Sequence, residues 1–104
     1  MIRHCVFLRL SPKADTAELD KIMLDLEDLV RRLDGCSDFR AGPNRDYEGK
    51  TPNYPYGFTL DAEDAKALAA YAVDPEHQDL GARLVALCEG GAAGIIVYDI
   101  EAPA

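Results

Sequence analysis

The sequence predicts an α+β fold, a four-stranded antiparallel sheet carrying its helices on one face. Two observations carry this reading. A two-residue apolar alternation opens the chain, and a 3.6-residue stripe follows it directly. The remaining segments then return as strand, strand, helix, helix and strand. The resulting order, β-α-β-β-α(α)-β, is the split β-α-β arrangement of ferredoxin-like folds.

Ile2 to Leu10 reads as the first strand. Its even positions Ile2, His4, Val6, Leu8 and Leu10 are apolar except for His4, while Cys5 and Phe7 lie between Arg3 and Arg9 on the other face. Apolar side chains on both faces fit a central, covered strand. Asp15 then caps a helix, with Glu18 three residues on completing a capping box. Leu19, Ile22, Met23, Leu26, Leu29, Val30 and Leu33 form one stripe along it, and Gly35 stops it.

The second strand is expected at Ser37–Ala41 and the third at Tyr56–Leu60. Between them, Gly42 to Pro55 holds three prolines, two glycines, Tyr47 and Tyr54. A loop of that length tends to be functional or to wrap a partner. Asp61, with Asp64 at the third helical position, is expected to begin an alanine-rich helix running to about Ala72. After Asp74-Pro75 another helix is expected from Pro75 to about Cys88, carrying Leu80, Leu84, Leu87 and Cys88. Gly90-Gly91 ends it, and Gly94 to Ile100 reads as the last strand. Helices on one face leave the other face apolar and bare. Such a sheet usually meets its own copy, so a homodimer is expected.

The chain of 104 residues reads as a single domain, residues 1–104. Nineteen acidic against eleven basic residues give a net charge of −8, which repels phosphate backbones and anionic lipid. Nucleic acid and membrane surfaces are therefore not expected partners. No apolar run reaches the ~20 residues of a membrane span, and no N-terminal stretch reads as a signal peptide. Cys5, Cys36 and Cys88 show no metal-ligand spacing and read as buried free thiols of a reducing compartment, so the cytoplasm is the expected location. No metal or organic cofactor is expected.

The segment Tyr71-Ala-Val-Asp-Pro-Glu-His77 carries the most chemistry. His77 falls in the first turn after the Asp74-Pro75 start, on the inward face of Leu80 and Leu84. Tyr71 closes the preceding helix, so a phenol and an imidazole meet at a helix corner. The helix dipole and burial both disfavour the imidazolium, leaving a neutral ring able to accept a proton. A tyrosine hydroxyl beside it could stabilise an oxyanion or return the proton. The same residues also have a structural reading, in which each polar group satisfies itself within a core.

The opening Ile-Arg-His-Cys-Val-Phe-Leu, the segments Asp-Phe-Arg-Ala-Gly-Pro-Asn and Tyr-Pro-Tyr-Gly-Phe, and Tyr71 to His77 together resemble the stress-responsive dimeric A/B barrel (Dabb) family. The resemblance spans nearly the whole chain. It implies a ferredoxin-like subunit whose sheet packs on a second copy to form a dimeric α/β barrel. One member, the plant polyketide cyclase olivetolic acid cyclase, uses a tyrosine and a histidine spaced as Tyr71 and His77, with another histidine at the position of His4. A pocket histidine of that cyclase matches Tyr56 here, and a first-helix aromatic matches Leu26. The resemblance thus implies catalytic roles for His77, Tyr71 and His4 in a hydrophobic pocket that Tyr56 and Phe58 help to line. Two function classes follow. One is a cofactor-independent lyase or cyclase acting on a small aromatic or polyketide-like molecule. The other is a non-catalytic stress-response or assembly protein with structural Tyr and His.

Overall fold

The computed structural model describes residues 1–103. The chain runs through β1 (Ile2–Leu8), α1 (Thr16–Arg32), β2 (Cys36–Pro43), β3 (Tyr56–Ala62), α2 (Ala65–Val73) and α3 (Pro75–Val85). A short 3₁₀ turn (Gly91–Gly94) then leads into β4 (Ile95–Glu101). The strands form one antiparallel sheet in the order β2-β3-β1-β4. This is the ferredoxin-like fold the element order predicts.

Register decides which side chains meet the helices. His4, Val6 and Leu8 stand opposite Leu60, Phe58 and Tyr56 on β3, and opposite Asp99, Val97 and Ile95 on β4. Directly opposed residues share a face. On that face Val6, Leu8, Phe58 and Leu60 join Leu19, Ile22, Leu26, Leu29 and Val30 of α1 in one core, which Tyr71, Leu80 and Leu84 complete. Among the described residues no helix covers the opposite face. Phe7, Tyr98 and Ile100 are exposed there. A groove of about 620 Å³ crosses this face, with the cross-strand pair Gly42 and Gly57 between Phe7, Tyr98 and Tyr54.

Several boundaries differ from the sequence reading, most of them because a tertiary bond outweighs a local signal. Asp61 does not start a helix. It is a buried residue of β3, bound by Arg3 through Nε at 2.8 Å and a second nitrogen at 3.1 Å. Pairing with both neighbours carries β3 on to Ala62, and Asp64 is the cap, accepting from the Ala67 N–H at 2.8 Å. Asp15 caps α1 as expected, through Ala17 and Glu18. Glu18, however, does not reach back to complete a box. Its carboxylate takes Arg83 of α3 at 2.8 Å, clamping two helices together. That hydrogen bond holds Glu18 below the usual carboxylate range.

Helix α3 stops at Val85 rather than near Cys88. The backbone leaves it because Ser11 donates to the Leu87 carbonyl and Glu89 to the Arg9 carbonyl, both at 2.8–2.9 Å. The same contact explains why β1 ends at Leu8, with Leu10 making only an isolated bridge to Cys88. Helix α2 runs to Val73, just beyond the expected Ala72. The long loop after β2 is braced from within. Asp46 Oδ1 accepts from the Lys50 and Thr51 backbone N–H groups, and the Asn44 amide donates to Thr51 and Tyr54.

Gly35 has φ +81°, and a Cβ there would stand 2.8 Å from the Ala67 Cβ. Gly81 lies within α3 with nothing within 4 Å of a Cβ. Urea unfolding should therefore separate them. Gly35→Ala lowers stability by more than about 1 kcal/mol, whereas Gly81→Ala raises it by about 0.5–1 kcal/mol.

Candidate functional site

The Asp74-Pro75 break folds the end of α2 against the start of α3. Asp74 accepts from the Glu76 N–H at 2.9 Å, and Arg32 of α1 ties down Glu76 at 3.0 Å. This corner stacks His77 on Tyr71, with ring centroids 4.3 Å apart and planes tilted by 46°. His4 enters from the sheet and meets Tyr71 edge-on at 5.8 Å. The residues singled out at positions 4, 71 and 77 are thus brought together. They border an open cleft of about 330 Å³ with Ala65, Leu68, Ala69, Ala72 and Asp99.

Hydrogen-bond partners assign the tautomers. His77 Nδ1 lies 3.1 Å from the Ala72 carbonyl oxygen. A carbonyl only accepts, so Nδ1 carries the proton and Nε2 is left as an acceptor. Burial is the main cause that holds His77 below the ordinary imidazole pKa. The Ala72 bond opposes it, and His4 acts in the same direction as burial. The Tyr71 ring is fully enclosed, at 1% exposure, and its hydroxyl has no hydrogen-bond partner among the described residues. Burial, reinforced by the nearby Cys36, pushes its pKa well above that of an ordinary phenol. Tyr71 therefore stays protonated.

Tyr56 and Phe58 lie elsewhere. They face the helices on β3, opposite Leu8 and Val6, whereas His4 stands opposite Leu60. At about 3.3 Å per residue, Tyr56 is some 13 Å along the strand from the Leu60 level. Tyr56 instead borders a depression with Asp20, Met23, Leu24 and Phe39, and Phe58 packs on Phe39 at 5.5 Å in the core. Leu26 is a buried core residue of α1. Neither Tyr56 nor Phe58 borders the histidine cleft.

Two neighbours of the site escape sequence reasoning. Asp99 accepts a hydrogen bond from His4 Nδ1 at 2.6 Å. The signal for it was the adjacency of first and last strands in the split order, but the register that pairs positions 4 and 99 is set only by the folded sheet. Cys36, half-buried, reaches the Ala67 carbonyl from β2 on the inner side of α2. No group of three or more His, Cys, Asp and Glu residues suited to holding a metal is found among the described residues.

These geometries have measurable consequences for stability. Tyr71→Phe removes an orphaned buried hydroxyl, so urea unfolding should show the variant more stable by about 1 kcal/mol. A loss of similar size would mean that the hydroxyl is hydrogen-bonded in solution. For His77 the folded pKa lies below the unfolded value of 6.5. Just below pH 6.5 the unfolded chain therefore binds more protons than the folded one. The stability tied to neutral His77 is complete above pH 6.5 and is lost as pH falls through the folded pKa. Subtracting the stability–pH curve of His77→Gln from that of the wild type isolates this loss.

Comparison with known proteins places the fold. A ferredoxin-like protein from Jannaschia sp., described as dimeric and of unknown function, is 44% identical, with 97% of this chain and 98% of that one covered and a TM-score of 0.92. A protein of Arabidopsis thaliana is 15% identical over 100% of this chain and 97% of its own, with a TM-score of 0.84. A hydroxynitrile lyase from Passiflora edulis is 15% identical, covering 95% of this chain and 90% of its own at a TM-score of 0.79. No curated protein sequence matches significantly. The family model for the stress responsive A/B barrel domain, Dabb, matches residues 2–102, and this chain belongs to that family.

Proposed function

We propose that this chain works as a homodimer joined through its bare sheet face, forming the dimeric barrel. Each subunit would hold a small aromatic or polyketide-like molecule beside His4, Tyr71 and His77 and act on it by cofactor-free acid–base chemistry. Two facts support the dimer. Phe7, Tyr98 and Ile100 leave an apolar surface exposed, and the Jannaschia protein, 44% identical, is described as dimeric.

The observation that carries the chemistry is the pairing of unlike groups at one corner. An imidazole disfavoured from protonation packs against a phenol that stays protonated near neutral pH and lacks a hydrogen-bond partner among the described residues. In this reading His77 Nε2 removes an acidic carbon-bound proton. The C–H electron pair moves onto the adjacent carbonyl, and donation from the Tyr71 hydroxyl to the resulting enolate oxygen requires the corner to open, because that hydroxyl is enclosed in the free chain. The imidazolium then returns the proton after bond formation or isomerisation. The Passiflora lyase supports the reading only in that a protein bearing that name uses the same scaffold.

A second reading, a non-catalytic stress-response or assembly protein, is favoured by a different observation. Both histidines already bond protein acceptors through Nδ1, as structural histidines do. Deuterium exchange separates the two. Ethyl acetoacetate in D₂O should lose its C2 proton signal faster with wild-type protein than with buffer, and His77→Gln should lose about 10²-fold or more of that acceleration. Wild-type protein with no acceleration, together with no NMR shift changes at His77 on adding this probe, defeats the catalytic reading. For the dimer, sedimentation at micromolar concentration should show twice the 11.4 kDa chain mass. A species of single-chain mass throughout would reject it.

A further inference from the structure

His4 is the one polar residue on the inner face of β1, and its Nδ1 meets a carboxylate of another strand at 2.6 Å. His4 and Asp99 are directly opposed in the β1–β4 register. Such partners sit with Cβ atoms roughly 5 Å apart on one face, so backbone pairing itself delivers the contact. The His4 side chain is 13% exposed and the Asp99 side chain 46%. The carboxylate thus stands toward solvent and the ring lies inside, beside Tyr71. Both residues border the same cleft.

We propose that Asp99 is a positioning residue for this cleft, fixing His4 in the Nδ1–H tautomer and thereby presenting Nε2 as a second proton acceptor beside Tyr71. The assignment rests on the functional reading above and deepens it. An ionised carboxylate only accepts, so the shared proton belongs to Nδ1. Nε2 then has no partner among the described residues. His77 is held the same way by the Ala72 carbonyl. The cleft is consequently bordered by two imidazoles, each bonded to the protein through Nδ1 with Nε2 left as an acceptor, and both pack against the Tyr71 ring. Two such acceptors suit a substrate with two exchangeable protons, such as a hydroxylated β-dicarbonyl compound or a polyhydroxylated ring precursor. One acceptor takes the carbon-bound proton, and the other receives a hydrogen bond from a substrate hydroxyl and orients it. Asp99 touches neither, and acts only through His4.

The test reads the tautomer directly and the chemistry separately. Nitrogen-15 NMR of the His4 ring above pH 7 should show Nδ1 protonated and Nε2 bare in the wild type. Asp99→Ala should shift the ring toward the Nε2–H form. Asp99→Asn, whose amide oxygen still accepts, should largely keep the wild-type tautomer. Exchange of the ethyl acetoacetate C2 proton should fall about 10²-fold in Asp99→Ala and recover part of that in Asp99→Asn, with melting temperatures unchanged. A wild-type His4 carrying its proton on Nε2 overturns the proposal whether or not any variant folds. An unaltered exchange rate in Asp99→Ala, with wild-type exchange intact, overturns it while leaving His77 catalysis standing. A fixed tautomer with no wild-type exchange defeats the functional reading instead.

Discussion

Everything at the cleft depends on β1 being held on both sides. Its seven residues pair with β3 and β4 without a break in register. A one-residue slip would turn every side chain to the opposite face. Val6 and Leu8 would leave the core, and Arg3, Cys5 and Phe7 would enter it. Phe7 would offset part of the lost apolar burial, but bringing the Arg3 charge into the core away from Asp61 makes the slip prohibitive. His4 inherits its position from this constraint. It lies two residues before Val6 on the same face, so packing at Val6 and Leu8 aims the imidazole at Tyr71. The Arg3–Asp61 pair adds a polar check on the other face, because its two hydrogen bonds form only in this register.

The second anchor is the break between α2 and α3. A continuous helix would carry residue 77 well away from residue 71 in rotation, six residues being about 600° of turn. Asp74 and Pro75 end one helix and start the next, and the two rings stack because the axis changes direction there. The clamps around the corner are chiefly charged and at the surface: Arg32 with Glu76, and Arg83 with Glu18. Solvent screens pairs of this kind, and holding two long side chains in one geometry costs entropy, so they tune the corner rather than create it. Burial of Tyr71, Leu80 and Leu84 stabilises it far more.

How far the site was legible follows from which forces are local. The long stripe of α1, the Asp74-Pro75 start and the inward setting of Tyr71 are written in nearest-neighbour spacing, and the structure keeps them. The meeting of His4 with Tyr71 and His77 was readable only through family resemblance, since positions 4 and 71 share no local pattern. Asp61 shows the limit most clearly. Its spacing to Asp64 looks like a helix start, yet Arg3, on another strand, holds it in the sheet. Glu18 follows the same rule, its capping geometry overridden by Arg83. Asp99 was invisible because alternation along β4 gives the face of each residue but not the partner across the gap.

The buried phenol decides how the corner should be understood. A tyrosine whose only task is to fill a core would normally find an acceptor for its hydroxyl, since an orphaned one costs about 1–3 kcal/mol. Here two imidazole rings pack against the same side chain, yet neither takes the proton. Phenylalanine would fill the volume without that cost. Retaining the hydroxyl is therefore a departure from what packing alone would select. Such departures concentrate where a site must bond something other than itself. The corner is well built as a scaffold, yet it keeps one enclosed donor, the Tyr71 hydroxyl, without a partner among the described residues.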